Sequence, residues 1–449
     1  MEDKFRFPCE ILFPQNRLFL NELLIMQESK STLIIFTVTY PYDAGAEQTF
    51  IGRELPYLAK YFDKVILIPK KLEGKLLQVP DNDNIETNEE FATIIKKKSL
   101  NGVVRRALLS SLFYQDIISH PEILIHITML ARLLRFVGEA ELLRQWLESW
   151  IEENQINYKN TLFYSFWFDQ LAMGIGLLKE RFPDLNLISR AHGYDIYEER
   201  YNPPYWPCRQ KALEKLDKLF LASEDARSYM MERYPKHSSL YETAHLGVQD
   251  SGFTSSASQD GVFRIVSCSS LVPLKRIDLL IRGIGRAAQM CPNQKFHWRH
   301  FGDGPARKSL QEELKLFPQN AEGYLDGYVP IEQIMNYYRE NPVDVIVNVS
   351  ESEGGSPVSI MEALSCGIPA IATAVGGNPE IVSGQNGILL NADPSPDDVA
   401  EALLEMLDNP EETARKRAAS RTVWQEEYDA ARNFDVFAKR LKAIMGVFV

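Results

Sequence analysis

Along most of this chain, short continuous apolar runs alternate with stretches whose apolar residues recur at helical spacing. Leu33-Ile34-Ile35-Phe36-Thr37-Val38 has the length and β-branched content of a buried strand, and Glu47 to Lys60 follows as a helix. Lys64-Val65-Ile66-Leu67-Ile68-Pro69 predicts the next strand, so the order is strand, helix, strand, the signature of parallel pairing. Residues 92 to 150 are mostly helical by pattern, and strands resume at Thr161–Ser165 and Asn186–Arg190. A Ser-, Gly- and Gln-rich stretch from Asp250 to Gly261 predicts a linker. The alternation then restarts. Strands are expected at Arg264–Cys268, Phe296–Phe301 and Val343–Val349, and helices at Ile277–Met290, Ala306–Phe317, from Ile331 and from Pro357, with a last long helix over Glu426–Met445.

Two βα runs on either side of a linker predict an α/β protein of two doubly wound, Rossmann-like domains facing across a cleft. The expected divisions are 1–255, 256–425 and a C-terminal helix within 426–449; residues 1 to about 30 fit no clear pattern, and an extra strand or arm on the first domain is one expectation for them. A length of 449 residues agrees, being too long for one ordinary core. The net charge of −12 argues against a nucleic-acid partner, which would need clustered Lys and Arg. Five scattered cysteines without metal-ligand spacing fit free thiols in a reducing compartment, and no metal site is expected. With no apolar run of spanning length and no leader pattern, the expected location is cytoplasmic.

The most informative stretch is Ser350-Glu351-Ser352-Glu353-Gly354-Gly355-Ser356-Pro357-Val358, which leaves a strand and enters a helix. Backbone N–H groups at such a helix start carry partial positive charge and suit a phosphate or diphosphate, and glycines allow close approach. Glu353 before the helix and Glu362 within it are placed to hold sugar hydroxyls, a pattern that suggests a nucleotide sugar. Taken alone, a Gly-Gly-Ser-Pro loop is also an ordinary turn.

Further motifs follow in order: Ser269-Ser270-Leu271-Val272-Pro273-Leu274-Lys275-Arg276, Phe301-Gly302-Asp303-Gly304-Pro305, Gly327-Tyr328-Val329-Pro330 and Ala374-Val375-Gly376-Gly377-Asn378-Pro379-Glu380. Together they resemble the retaining glycosyltransferases of the "group 1" family, family four in the usual sequence classification, which have the GT-B fold. The resemblance covers Leu33 to the C-terminus and is strongest from Arg264 to Leu390. It implies that Glu353 contacts the donor sugar, that Glu362 contacts the ribose, and that Lys275, helped by Arg276, neutralises the diphosphate. Donor contacts are further implied for Gly302, Tyr328, Val329, Gly354, Gly355, Ser356, Pro357 and Val358, with Tyr328 acting through its backbone. Arg190-Ala191-His192-Gly193-Tyr194-Asp195 resembles the family's histidine motif, placing His192 near the donor sugar, and Asp43-Ala44-Gly45-Ala46-Glu47 resembles its first glycine loop, pointing to Gly45. Two departures stand out. Ser270 occupies the place of the family's arginine, and eight residues rather than seven separate the two glutamates.

What the resemblance implies is transfer of a sugar from a nucleoside-diphosphate donor, UDP-linked first and GDP-mannose second, to a glycan or lipid-linked acceptor. Retention would come from front-face attack with no protein nucleophile, and Lys275 and the helix start would replace a metal; no resident cofactor is expected. The C-terminal helix would cross back to the first domain. A nucleotide-sugar epimerase and a catalytically degenerate GT-B binding module remain as alternatives. Segment 96–135 carries Lys96, Lys97, Lys98, Arg105, Arg106, Arg132 and Arg135 against Asp116 and Glu122. Either it lies against anionic lipid at the inner face of the membrane, or Leu108, Leu112, Phe113 and Leu133 fill the core while its charges stay solvated.

Overall fold

The computed structural model describes residues 30–45, 47–77, 82–355 and 357–446. The arm expected at the N-terminus lies outside these residues as far as residue 29, and so does Ser356. Seven strands, β1 (Thr32–Thr37), β2 (Lys64–Pro69), β3 (Ile85–Thr87), β4 (Thr161–Ser165), β5 (Asn186–Ala191), β6 (Lys218–Leu221) and β7 (Tyr241–Thr243), form the first sheet. Their order is β3-β2-β1-β4-β5-β6-β7, and every neighbouring pair is parallel. Six more, β8 (Val262–Cys268), β9 (Lys295–Phe301), β10 (Ala321–Gly327), β11 (Val345–Asn348), β12 (Ala370–Thr373) and β13 (Gly387–Leu390), form the second. That sheet runs β10-β9-β8-β11-β12-β13, again parallel throughout. The structure thus has the two doubly wound domains that the alternation of runs predicts.

Strand periodicity explains the layers. In β1, Leu33 and Ile35 join the cluster that contains Ile51, Leu55 and Leu58 of helix Glu47–Tyr61, whereas Ile34 and Phe36 join the cluster on the other face with Phe91 and Phe136. Both faces of the strand are therefore buried, which is why its sequence is a continuous apolar run rather than an alternation. Each sheet reverses its strand order once, between β1 and β4 and between β8 and β11. Loops leaving the carboxyl ends of those strands diverge and open a crevice, the usual ligand position in such sheets.

The C-terminal region corrects the single helix expected over Glu426–Met445. A π-type turn spans Trp424–Tyr428, Asp429 leaves helical geometry, and a new helix, Ala430–Ile444, starts with the Asp429 carboxylate accepting from Ala431 N at 2.9 Å. Asp429 is a good N-cap, and the break falls where the chain passes between domains. There Val248 N donates to Tyr428 O (3.0 Å), Ala430 N to Val248 O (3.1 Å), and Trp424 Nε1 to Val248 O (3.2 Å). Helix Ala430–Ile444 then lies on the first domain. Phe437 is buried with its ring 6.0 Å from Tyr164 and 5.0 Å from Phe220, and Tyr61 donates to Asp435 at 2.6 Å.

The stretch Asp250–Gly261 is irregular but fastened to the second domain, with Ser255 N donating to Cys366 O and Ser258 N to Asp344, both at 2.8 Å. Replacing Phe437 by alanine should cost the first domain about 3–5 kcal/mol, the usual loss for a buried phenylalanine, read as a lower urea midpoint for that domain's unfolding. An unchanged midpoint would mean that the crossing helix contributes nothing to that core.

Candidate active site

The turns after β8, β9 and β10 lock onto one another at the carboxyl edge of the second sheet. Ser269 N donates to Phe301 O (3.1 Å), Leu271 N to Asp303 O (3.0 Å) and Gly302 N to Gly327 O (2.8 Å). Gly302 has φ +145°, and a Cβ there would come within 1.8 Å of Ser269 O, so only glycine fits. Beneath this platform His300 is buried between Ser267 Oγ (2.8 Å) and Ser269 O (2.9 Å), and burial pushes its ring down to about 4. Tyr328 stands out into solvent, 83% exposed, beside the half-buried Val329.

Lys275 and Glu353 meet at 2.5 Å, and Asn348 Nδ2 donates to the same carboxylate oxygen at 3.1 Å. The two residues that the resemblance gives to diphosphate and sugar are thus one cluster, between the loops after β8 and β11. Arg276 is placed differently. In left-handed geometry (φ +47°), it donates to Val349 O (2.7 Å), Ser350 O (3.0 Å) and Ala392 O (2.9 Å) and pairs with Asp393 (3.0 Å). Its guanidinium braces the loop that carries Glu353, where the resemblance gave it to the diphosphate. Pro357 is the N-cap of helix Val358–Ser365, one position before the first helical residue expected for it.

On the first domain His192 follows β5. Its backbone N–H donates to Asp195 (2.7 Å), which also accepts from Phe168 N (2.9 Å), and burial pushes the Asp195 carboxyl up to about 6. The imidazole is packed among Phe166 (4.8 Å), Trp167 (4.4 Å) and Phe50 (5.9 Å), and burial, with Arg190 nearby, pushes its pKa well down. Both ring nitrogens are buried without a hydrogen-bond partner among the described residues. Leaving such a group unpaired costs about 1–3 kcal/mol, so the arrangement favours a ligand that would complete it. Gly45, at φ +98°, lies in the loop after β1, whose shape is fixed by Glu47: this carboxylate accepts from Val38 N (2.7 Å), Thr39 N (2.6 Å), Tyr40 N (2.9 Å) and Trp167 Nε1 (2.5 Å).

The two domains touch at the glycines. A Cβ on Gly354 would stand 2.3 Å from Gly193 Cα, and one on Gly193 would stand 2.8 Å from Gly354 Cα. His192 and the glycine loop therefore form opposite walls of one seam. Gly355 packs beside Ala222, and Arg200 Nη2 donates to Ser352 Oγ at 2.7 Å. Glu380 accepts from Glu224 N and Asp225 N, both at 2.9 Å, at the start of the first-domain helix Glu224–Arg233, and meets His245 at 3.3 Å. Burial opposes ionisation of Glu380, but His245 and the two amides outweigh it and hold the carboxyl low.

Glu362 is also claimed from across the seam, by Arg53 at 2.8 Å; burial pushes its carboxyl up and Arg53 pulls it down. Sequence reasoning missed Arg53, Arg200 and the capping role of Glu380. Each pairs with a residue more than a hundred positions away, so no local signal marks it.

Comparison with known proteins then bears on the second half directly. Residues 262–409 match the family model described as glycosyl transferases group 1. Over 186 residues, 40% of this chain, the sequence is 30% identical to a phosphatidylinositol N-acetylglucosaminyltransferase subunit of Arabidopsis thaliana, and it spans 39% of that relative's length. The lipopolysaccharide outer core galactosyltransferase WaaB, solved in its apo form, superposes with a TM-score of 0.64 at 14% identity over 91% of this chain and 99% of its own. Anabaena HepE, solved in complex with UDP, does so with a TM-score of 0.60 at 14% identity over 92% and 100%. The fold is thus the two-domain GT-B arrangement, and the matched segment holds Lys275, Glu353 and Glu362.

The buried placement of His192 has a spectroscopic consequence. Its ring resonances should keep neutral-imidazole values from pH ~8 down to ~5.5, where an unperturbed histidine would titrate. Protonation within that range would place the ring in solvent.

Proposed function

We propose that the chain transfers a sugar from a nucleoside-diphosphate sugar, UDP-linked ahead of GDP-mannose, to a glycan or lipid-linked acceptor, retaining the anomeric configuration and needing no metal. The observation that carries this reading is the seam itself: a buried imidazole whose two nitrogens have no partner among the described residues stands opposite a glycine loop flanked by the Lys275–Glu353 pair. Negative charge grows on the departing diphosphate, and Lys275 together with the N–H groups at the start of helix Val358–Ser365 is placed to receive it. Glu353 and His192 hold the sugar from its two sides, and Glu362 takes the ribose. The leaving phosphate assists front-face attack by the acceptor hydroxyl, so no covalent sugar–enzyme bond is formed. The family match and the UDP bound in Anabaena HepE support the donor class.

The acceptor side points to a lipid surface. Leu100, Leu109, Ile118, Leu124, Ile125 and Ile127 are each 64–82% exposed along three short helices and the start of helix Ile127–Glu153, while Leu112, Phe113 and Leu133 are buried and Leu108 is half out. Lys96, Lys97 and Arg105 are exposed on the same segment, a basic and apolar combination suited to anionic headgroups. This patch is wired to the seam. Arg132 donates to Tyr205 O (2.7 Å), Tyr205 donates to Asp116, and the Arg132 guanidinium lies 4.6 Å from the ring of Tyr201, whose hydroxyl donates to Tyr194 O (2.9 Å), two residues from His192. No helix among the described residues is long and apolar enough to cross a membrane, so contact would be peripheral.

Calorimetric titration with UDP, GDP, UDP-glucose, UDP-N-acetylglucosamine and GDP-mannose tests the donor reading. One nucleotide class should bind, and Lys275→Ala should weaken it about tenfold or more, as loss of a charge-assisted contact does. Turnover of donor to its epimer without acceptor would replace transfer by epimerisation, and absence of binding to all five would leave a degenerate module. For the surface, the protein should cosediment with anionic phosphatidylglycerol liposomes at low salt, and Ile125→Asp should abolish this. Failure of the unmodified protein to cosediment, or its dimerisation through the patch instead, would remove the membrane contact.

A further inference from the structure

The donor site as the resemblance draws it is one cation short. Ser270 carries no charge where an arginine is expected, and every nitrogen of Arg276 is engaged by Val349, Ser350, Ala392 or Asp393. Lys275 remains, already paired with Glu353. A cation aimed at the carboxylate of the glycine-loop helix comes from the first domain. Arg53, on helix Glu47–Tyr61, reaches across the seam to Glu362, and the pair is largely buried, with side chains 19% and 10% exposed. Only its Nη2 is used; Nε and Nη1 make no hydrogen bond among the described residues. The pair is joined to the Lys275 cluster through the chain: Glu362 lies on helix Val358–Ser365, which directly follows the loop whose Glu353 meets Lys275.

We propose that Arg53 is the second cation of the donor site, holding Glu362 with one edge of its guanidinium and a donor diphosphate oxygen with the other. The inference rests on the donor reading above and assigns to it a residue from the opposite domain. Arginine suits the task because its rigid fork can serve a carboxylate and a phosphate at once, which a lysine ammonium does less well. Burial pushes the Glu362 carboxyl up, and pairing with Arg53 opposes that shift, which favours a carboxylate able to accept from ribose hydroxyls. A cation supplied by the first domain would make diphosphate binding depend on the closed seam, where a cation at position 270 would leave it to the second domain alone.

The test compares nucleoside diphosphates with the matching nucleosides. Calorimetric titrations with UDP and uridine, and with GDP and guanosine, are run on the unmodified protein, Arg53→Gln, Arg53→Lys and the double variant Arg53→Gln/Ser270→Arg. Arg53→Gln should weaken the diphosphate about tenfold or more while changing the nucleoside less than about threefold, since the lost contact is to phosphate. Arg53→Lys should fall between, and Ser270→Arg should recover much of the loss. Equal weakening of nucleoside and diphosphate would mean that Arg53 only positions Glu362, and the proposal would fall. Undiminished diphosphate binding in Arg53→Gln would overturn it while leaving the donor reading intact. If the unmodified protein bound neither diphosphate, both readings would fall together.

Discussion

Everything at the seam is referenced to one buried ion pair, Arg190 with Glu54, both side chains fully removed from solvent. Arg190 sits near the end of β5, two residues before His192, and Glu54 on the first helix beside Arg53. The same guanidinium donates to Ala244 O at 2.6 Å and lies 4.6 Å from the Phe437 ring of the crossing helix. Four segments far apart in sequence therefore meet at one charge. Removing either partner of such a pair strands the other in a low-dielectric interior, at a cost of roughly 3–5 kcal/mol. Burial pushes the Glu54 carboxyl up, and the Arg190 guanidinium and the Tyr164 hydroxyl oppose that shift.

From this fixed point, adjacent residues divide their work. Glu54 points into its own domain and Arg53 out of it, because neighbouring helix positions lie about 100° apart. The helix that is locked to β5 beneath His192 thus presents a cation to the second domain's carboxylate. On the other wall, the Arg276 brace, the Lys275–Glu353 pair and the interlocked glycine turns give a platform of comparable rigidity. The seam is thus bounded by two braced surfaces, and groups held in place beforehand are what electrostatic stabilisation of a transition state requires.

How much of this was legible depends on whether the signal was local. Strands such as β1 and β2 are buried on both faces and announce themselves as continuous runs. In contrast, β7 is only Tyr241–Thr243 and β10 carries Glu322 and Asp326 at a sheet edge, so neither stands out. The break at Asp429 was hidden because the residues on both sides are good helix formers; what decides it is the competing backbone pairing with Val248. That Lys275 and Glu353 come together, with Glu362 on the helix that follows, could be expected because the loops after β8 and β11 leave adjacent strands of one sheet. Arg53 could not, since its partner lies 309 residues away and nothing in the helix distinguishes an arginine that crosses a seam from one that meets solvent. Arg276 was read for its charge, yet its left-handed backbone turns that charge toward carbonyls.

The crossing of the chain at Val248 and Asp429 has a mechanical meaning. Two covalent connections pass between the domains side by side, tied by backbone hydrogen bonds in both directions, and a Cβ on Gly247 would stand 2.6 Å from Ala430 Cα. A single tether would permit rotation about any axis, together with twist and slide. Two tethers held in contact act as paired knuckles on one pin, and leave swing about the line joining them as the soft coordinate. Loosening that pin would leave both walls intact and let them meet out of alignment.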